Sequence, residues 1–169
     1  MNKEIITFTI LFVLLVLLQV LLFNHIALFD VAFPIIFIYF IIRLPISLNL
    51  SFLFSLSFFT GFVIDVFSDT LGVNCLACTL LAALKRPVFF AYVAKDDKVK
   101  NIIPNSKNLG FIAYAKYLFS MVTIYCLLAF IIEYFNFADV KELVILCSSS
   151  ITLSFVLMLA IDCLFIPET

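Results

Sequence analysis

Two aspartates within apolar segments, Asp65 and Asp162, are the residues of this chain best suited to chemistry. A pair of carboxylates at membrane depth can share a proton and act as general acid and general base, as in an aspartyl protease. The span assignment below places Asp65 at the outer end of one helix and Asp162 at the inner end of another. We therefore expect the two carboxylates to lie on opposite sides of the membrane, which argues against such a dyad.

The cysteines are a second candidate for chemistry, because Cys75 and Cys78 have the spacing of a pair of metal ligands. The sequence has no second Cys-x2-Cys pair, and His25 is its only histidine. It also lacks a Ser/His/Asp set, an HExxH motif and a P-loop. We therefore expect no metal site, no cofactor and no catalytic residues, and a protein that is not an enzyme. The cysteines are expected to pack as small apolar residues between helices: Cys75, Cys78, Cys126, Cys147 and Cys163.

The elements that position these residues are long apolar runs. Hydrophobic residues make up 66% of the chain and charged residues 12%. No charged residue occurs in 5–23, 46–64 or 143–161, and 111–132 contains only Lys116. A bilayer core of about 30 Å requires about 20 helical residues, and the backbone amides inside it must be satisfied within the segment. The sequence therefore predicts an all-α integral membrane protein.

Six transmembrane helices in one bundle account for all the apolar runs and form a single domain over residues 1–169. Two shorter runs, 31–42 and 71–84, count as spans after modest extension. With the N-terminus in the cytoplasm, every Lys and Arg except Lys141 falls on or near the inner side, as the positive-inside rule requires. Both termini are therefore expected to be cytoplasmic. The predicted spans are 5–23, 30–44, 46–64, 70–86, 110–133 and 143–165.

The longest polar stretch, 95–108, contains charges of both signs and predicts a solvated cytoplasmic connection. Residues 87–94, just before it, are expected to lie along the inner interface as a short amphipathic extension. The chain has 10 basic and 11 acidic residues, so it offers no positively charged surface for nucleic acid.

Ser57, Gly61 and Asp65 are spaced by four residues and so share one face of span three. Small residues at this spacing allow helix backbones to approach closely. Gly72 opens span four, so spans three and four are expected to pack through small residues across a tight turn. Two roles remain open for Asp65: a ligand for an ion or substrate, or a residue that hydrogen-bonds the following turn or caps span four. Asp69 is expected to be the N-cap of span four.

Other polar residues also interrupt the apolar pattern. Gln19 lies in the outer half of span one and is expected to bond a neighbouring helix, with ligand binding as the alternative. The three serines at 148–150 are expected to serve helix packing. Asp162, in the last turn of span six, is expected to pair with one of three basic residues near the inner surface: Lys85, Arg86 or Lys116.

The order and spacing of these motifs resemble the rod-shape-determining MreD family of small inner-membrane proteins. The resemblance covers residues 18–86 and rests above all on Gly61-x3-Asp65-x6-Gly72. Leu18-Gln19 and Phe33-Pro34 also match, as do residues 41–45 at the inner turn. The rest of the chain matches only in hydropathy and span count. The resemblance implies a packing or partner-binding role for the motif residues, which are Gln19, Pro34, Ser57, Gly61, Asp65 and Gly72.

The resemblance implies a non-enzymatic, multi-pass scaffold in the bacterial cytoplasmic (inner) membrane, within the complex that controls cell shape and lateral peptidoglycan synthesis. The implied partner is MreC, in machinery that also contains MreB filaments, the RodA glycosyltransferase and a class B penicillin-binding protein, all set in membrane lipid. The implied fold is similar to that of the substrate-binding S-components of ECF transporters. The main alternative is that the chain is itself an ECF-type vitamin-binding subunit. A third is an unrelated small membrane protein that shares only the hydropathy.

Overall fold

The computed structural model of the chain describes residues 2–23, 33–70, 72–93, 103–133 and 140–164. Every regular element in these ranges is a helix. The first helix continues directly into a π-helical turn. The elements in chain order are α1 (Asn2–Leu18), the π turn (Gln19–Phe23), α2 (Ile38–Arg43), α3 (Leu50–Ser68), α4 (Val73–Tyr92), α5 (Ser106–Leu109), α6 (Phe111–Glu133) and α7 (Val140–Leu164).

Four of the described helices contain a stretch that is long and apolar enough to cross a bilayer. These stretches have 19 to 23 residues, which at 1.5 Å per residue is about 29 to 35 Å. The predicted all-α membrane protein is confirmed at this level, with four candidate spans in the described ranges. They are Leu50–Ser68, Val73–Tyr92, Phe111–Glu133 and Val144–Cys163.

The distribution of polar residues on α3 shows which of its faces meets lipid. Its buried face includes Ser57, Thr60 and Asp65. A surface helix of a water-soluble protein has the opposite arrangement, with polar residues outside and apolar residues inside. Helix α3 therefore turns these three polar side chains toward other helices. Its outward face carries five phenylalanines, each more than half exposed: Phe52, Phe58, Phe59, Phe62 and Phe67.

Helix α6 lies at the centre of the core, between α4 and α7. Its Tyr117 and Tyr125 are buried, and each meets a phenylalanine edge-on. The Tyr117 ring centroid is 5.5 Å from that of Phe89 in α4, and the Tyr125 centroid is 5.6 Å from that of Phe37. Edge-to-face pairs at this distance are favourable beyond the area they bury. The tyrosines of α6 thus fix the positions of α4 and of the segment that leads into α2.

The short helix α2 lies inside the bundle, and residues 38–42 are all buried. Residues 33–36 before it are not helical. The prediction of one continuous span over 30–44 is therefore wrong, although residues 30–32 lie outside the described ranges. Pro34 explains the break, because proline lacks an N–H and disfavours helical conformation in the residue before it.

The other predicted spans match described helices with shifted ends. Span one, 5–23, corresponds to α1 with the π turn. Spans five and six, 110–133 and 143–165, correspond to α6 and α7. Span three was predicted as 46–64, but α3 runs from Leu50 to Ser68, because residues 46–49 form a turn.

Span four shows a larger difference, since α4 continues six residues beyond the predicted end at 86. The separate interfacial segment predicted for 87–94 is therefore wrong over 87–92. Pro87 lies inside the helix and removes one backbone hydrogen bond. Two residues later Phe89 is fully buried against Tyr117, and this packing holds the last turns of α4 in the core. Of the predicted loop 95–108, residues 95–102 lie outside the described ranges, and Ser106–Leu109 form α5.

Candidate functional site

The carboxylate of Asp65, at the end of α3, caps the start of α4. Its Oδ2 accepts a hydrogen bond of 2.8 Å from the backbone N–H of Cys75, and its Oδ1 accepts one of 3.0 Å from that of Asn74. The Asn74 side-chain amide and the Thr70 hydroxyl donate to Oδ1 at 3.0 and 2.5 Å. The first N–H groups of a helix have no partner within the helix, and a carboxylate also complements the helix dipole there. Asp65 therefore acts as the capping residue that was one of its two predicted roles.

The same cluster reaches a third helix through Asn74. The hydroxyl of Tyr125 in α6 donates a hydrogen bond to the Asn74 side-chain oxygen. Asp65 is only 5% exposed, so these bonds form in a region from which solvent is largely excluded. Because hydrogen bonds to a charged group are stronger than neutral ones, the cluster is a firm joint between α3, α4 and α6.

The prediction that Asp69 caps α4 is wrong. Asp69 is exposed and ends α3 in a left-handed conformation, with φ 54° and its N–H bonded to the Asp65 carbonyl. Gly72 occupies the N-cap position with φ 80° and has no side chain of its own to cap the helix. Nothing lies within 4 Å of a Cβ built on Gly72, so its backbone conformation, not lack of space, favours glycine there.

Gly61 lies where α3 packs closely against the first turn of α4. A Cβ atom built on Gly61 would be 2.5 Å from the Asn74 carbonyl oxygen and 2.7 Å from the Cα of Cys75. Ser57, one turn earlier, is fully buried on the same helix. The structure thus brings Gly61 and Asp65 together against the first turn of α4, where one provides space and the other provides hydrogen bonds.

Gln19, the first residue of the π turn, meets the nonhelical segment that contains Pro34. The Gln19 side-chain amide donates to the Pro34 carbonyl at 3.1 Å, and its oxygen accepts from the Ile36 N–H at 2.9 Å. Backbone groups that are not helical are tolerated at membrane depth only where protein satisfies them. Gln19 supplies this for the segment before α2.

Two serines of α7 complete this arrangement. Ser150 Oγ accepts a hydrogen bond from the Phe33 N–H at 3.0 Å, and Ser154 Oγ accepts one from the Ile35 N–H at 2.9 Å. Both serines are fully buried. Ser150 was predicted only to serve helix packing, and no role was predicted for Ser154. Their spacing of four residues, which places two hydroxyls on one helix face, was the signal that could have found the pair.

Asp162 pairs with Arg43 and Tyr39 of α2, so the predicted pairing with Lys85, Arg86 or Lys116 is wrong. An Arg43 guanidinium nitrogen lies 3.2 Å from the Asp162 carboxylate, and the Tyr39 hydroxyl donates to it at 2.8 Å. Arg43 was not among the predicted partners, because only the fold brings α2 beside the end of α7.

The two aspartates do not form a dyad. Asp162 accepts a weak hydrogen bond of 3.4 Å from the Ser106 N–H, before α6 begins. The Asp65 cluster meets α6 at Tyr125. The part of α6 between Phe111 and Tyr125 is about 21 Å long at 1.5 Å per residue. The carboxylates therefore lie toward opposite ends of the bundle.

Two of the three basic residues predicted to pair with Asp162 instead hold the chain where α2 leads into α3. Lys85 is fully buried, and its ammonium group donates to the carbonyls of Ile41 and Leu44 at 2.8 and 2.5 Å. Arg86 donates to the Leu48 carbonyl at 2.6 Å. A cation at the C-terminus of a helix satisfies its last carbonyls and complements its dipole. Both side chains thus have a structural role.

The described cysteines form no disulfide, and four of the five are buried. Cys75 and Cys78 lie on consecutive turns of α4, where the Cys75 thiol contacts the Phe58 carbonyl at 3.5 Å. Within the described ranges, no three His, Cys, Asp or Glu side chains come together in a group that could hold a metal ion.

A cleft of about 340 Å³ opens at the end of the bundle where α3 ends and α4 begins. We call it the α3–α4 cleft. Its walls include one acidic side chain, Glu133, and polar side chains from four elements. Ligand sites are typically concave, largely apolar and fitted with a few polar groups. The described lining residues are Gln19, Phe33, Pro34, Ile35, Phe37, Ile64, Phe67, Ser68, Thr70, Val73, Asn74, Tyr125, Ala129, Phe130 and Glu133.

Comparison with known proteins identifies no relative. No protein-family model matches the chain, and neither a curated protein nor a solved structure does so. The resemblance to the MreD family is carried by the short motifs between residues 18 and 86 alone.

Proposed function

We propose that this chain is a non-enzymatic membrane scaffold of the bacterial cell-elongation complex. In this proposal it lies in the inner membrane, binds an MreC-like partner, and helps to control cell shape and lateral peptidoglycan synthesis. MreB filaments, RodA and a class B penicillin-binding protein belong to the same assembly. The proposal rests on the MreD-like motif together with the contacts that its residues make.

The observation that carries the proposal is the use of Gly61 and Asp65 at the α3–α4 joint. Gly61 faces the backbone of α4 with no room for a side chain, and all four hydrogen bonds to the Asp65 carboxylate come from residues 70–75. A carboxylate held in this way stabilises a helix arrangement and is not poised for acid–base work. A rigid bundle that presents an apolar outer surface suits a protein that assembles others within the membrane.

We further propose the six-span topology, with both termini cytoplasmic and a fold like that of ECF S-components. The apolar helix Ile6–Leu21, formed by α1 and the π turn, is shorter than the four candidate spans, and we assign it as the first span because local thinning of the bilayer can accommodate a short apolar helix. For the second span, Gln19, Ser150 and Ser154 satisfy the nonhelical backbone that precedes α2. The distribution of Lys and Arg supports the orientation.

An ECF-type vitamin-binding subunit remains the second candidate, and the α3–α4 cleft favours it. Such a subunit needs a polar, aromatic-lined pocket on the outer side of the membrane. In the proposed topology the α3–α4 cleft opens on that side, and its lining includes both aromatic and polar residues.

Depletion of the protein in its host separates the two candidates. The scaffold proposal predicts that rod-shaped cells become round while their growth requirements stay the same. A vitamin requirement without a change of shape would instead support the transporter subunit and contradict the scaffold. Re-expression of the wild-type chain serves as the control, because it must restore the original phenotype.

A further inference from the structure

The α3–α4 cleft has the composition of a site for a positively charged organic molecule. Five aromatic residues line it, from the α2 approach and from α3 and α6: Phe33, Phe37, Phe67, Tyr125 and Phe130. The faces of aromatic rings carry partial negative charge and attract cations, and quaternary ammonium groups are bound by such rings in many proteins. The volume of about 340 Å³ falls in the range of small-molecule sites.

The charges around the cleft have one sign. Glu133, at the end of α6, is the single charged residue among the described lining residues, and no Lys or Arg is among them. In the part of the chain that the structure describes, Glu133 takes part in no ion pair. The buried carboxylate of Asp65 lies directly behind two lining residues, Thr70 and Asn74, to which it is hydrogen-bonded. Both carboxylates therefore make the potential in the cleft negative.

The two carboxylates have different roles. Asp65 already accepts four hydrogen bonds and is 5% exposed, so its charge is committed to the joint between helices. Glu133 is exposed, and no such set of donors surrounds it among the residues that the structure describes. An incoming cation would meet Glu133 first and the aromatic rings beside it. An anion would be repelled by the same groups.

We propose that the α3–α4 cleft binds a small organic cation, a protonated amine or quaternary ammonium group on an aromatic or apolar body. Glu133 pairs with the charge, and the aromatic side chains surround the body. This inference goes beyond the scaffold function and does not depend on it, because the contacts that carry it are those of the cleft alone.

Binding can be measured on the purified full-length chain in detergent, with benzyltrimethylammonium as the probe. Unfolding is followed with a thiol-reactive fluorogenic maleimide, because four buried cysteines become accessible only when the bundle opens. The proposal predicts that benzyltrimethylammonium raises the melting temperature in a saturable manner. Phenylacetate, an anion of similar size and the same ring, is predicted to leave it unchanged. Isothermal titration calorimetry then gives the Kd of the cation.

Variants at two exposed carboxylates assign the binding to the cleft. Glu133→Gln should weaken benzyltrimethylammonium binding by about ten-fold, since it removes the charge opposite the cation. Glu133→Asp, which keeps the charge, should retain most of the affinity. Asp69→Asn is the matched control, because Asp69 is an exposed carboxylate in the α3–α4 turn that is not among the lining residues.

Three results would overturn the proposal. They are no saturable effect of the cation, an equal effect of phenylacetate, or equal cation affinity in the wild type and Glu133→Gln. None of them bears on partner recovery from membranes, so a failure here is distinguishable from a failure of the scaffold proposal.

Discussion

The side chain of Gln19 is hydrogen-bonded to the backbone of Pro34 at 3.1 Å, across a separation of 15 residues. Its oxygen also accepts from the Ile36 N–H, so one amide side chain satisfies a carbonyl and an N–H as a neighbouring strand would. Together with Ser150 and Ser154, Gln19 allows a nonhelical segment to lie inside an apolar bundle. These three polar side chains therefore hold irregular backbone inside the bundle.

Loss of the Ser154 hydroxyl or of the Gln19 amide should destabilise the bundle. Ser154→Ala should lower the free energy of unfolding by about 1–3 kcal/mol, because it leaves the N–H of the half-buried Ile35 without a partner. Gln19→Met should cost more, since two backbone groups lose their bonds. Unfolding in increasing SDS, followed by circular dichroism, measures both changes.

Thr152→Ala provides the control for the serine variant. Thr152 is exposed on the same helix, and its hydroxyl bonds only to the Ser148 carbonyl one turn earlier. Its replacement should change the stability by no more than a few tenths of a kcal/mol. Equal stability of Ser154→Ala and Thr152→Ala would contradict the role given to Ser154.

Gly61→Ala tests the close approach of α3 and α4. Alanine favours a helix by about 1 kcal/mol over glycine, so propensity alone predicts stabilisation. The added Cβ would lie 2.5 Å from the Asn74 carbonyl oxygen, and α4 must move to admit it. We expect a net loss of about 1–3 kcal/mol, typical of overpacking. The thiol-accessibility melt measures it, with Val66→Ile on the exposed face of α3 as a neutral control.

Replacing Asp65 by alanine or by asparagine should distinguish how much of its stabilising effect comes from its charge and how much from its hydrogen-bond acceptors. Asp65→Ala removes the acceptor for the Asn74 and Cys75 N–H groups and should cost about 2 kcal/mol or more. Asp65→Asn keeps one oxygen and should fall between alanine and the wild type. Asp69→Asn, which tolerates the left-handed conformation of that position, should have the wild-type melting temperature. A ranking in which asparagine and alanine are equivalent to the wild type would exclude the capping role.

The cluster formed by Asp162, Arg43 and Tyr39 allows a direct test of which basic residue pairs with Asp162. Arg43→Gln should destabilise the protein by about 3 kcal/mol, because it leaves a carboxylate that is 2% exposed without its cation. Lys116→Gln should have no comparable effect, since Lys116 is exposed and lies outside the cluster. Yield and melting temperature of the two variants in detergent measure the difference. The opposite order would favour the pairing expected from the sequence.

Hydropathy was sufficient to predict the long helices, because the backbone N–H and C=O groups of an apolar run in lipid must hydrogen-bond to one another. It failed at α2, where the backbone is satisfied by side chains that are distant in sequence. It also failed at Pro87, because the burial of Phe89 keeps α4 helical beyond a residue that usually ends a helix.

At the site, residue spacing predicted which helices pack together better than it predicted which side chains bond to each other. The four-residue repeat of Ser57, Gly61 and Asp65 predicted a close helix pair, and it placed the Asp65 carboxylate near the next helix. The N-cap of α4 was predicted to be Asp69. Sequence distance alone does not reveal that the turn after α3 brings the first N–H groups of α4 within hydrogen-bond distance of Asp65. The pairing of Asp162 with Arg43 depends on how α2 enters the bundle, which no local pattern contains.

The most direct test of the scaffold proposal is a pull-down of the tagged chain from detergent-solubilised native membranes, with co-purifying proteins identified by mass spectrometry. The proposal predicts recovery of an MreC-like protein with the wild type and with Asp69→Asn, and a reduced recovery with Gly61→Ala. Recovery of an ECF energising module in place of an MreC-like protein would contradict it.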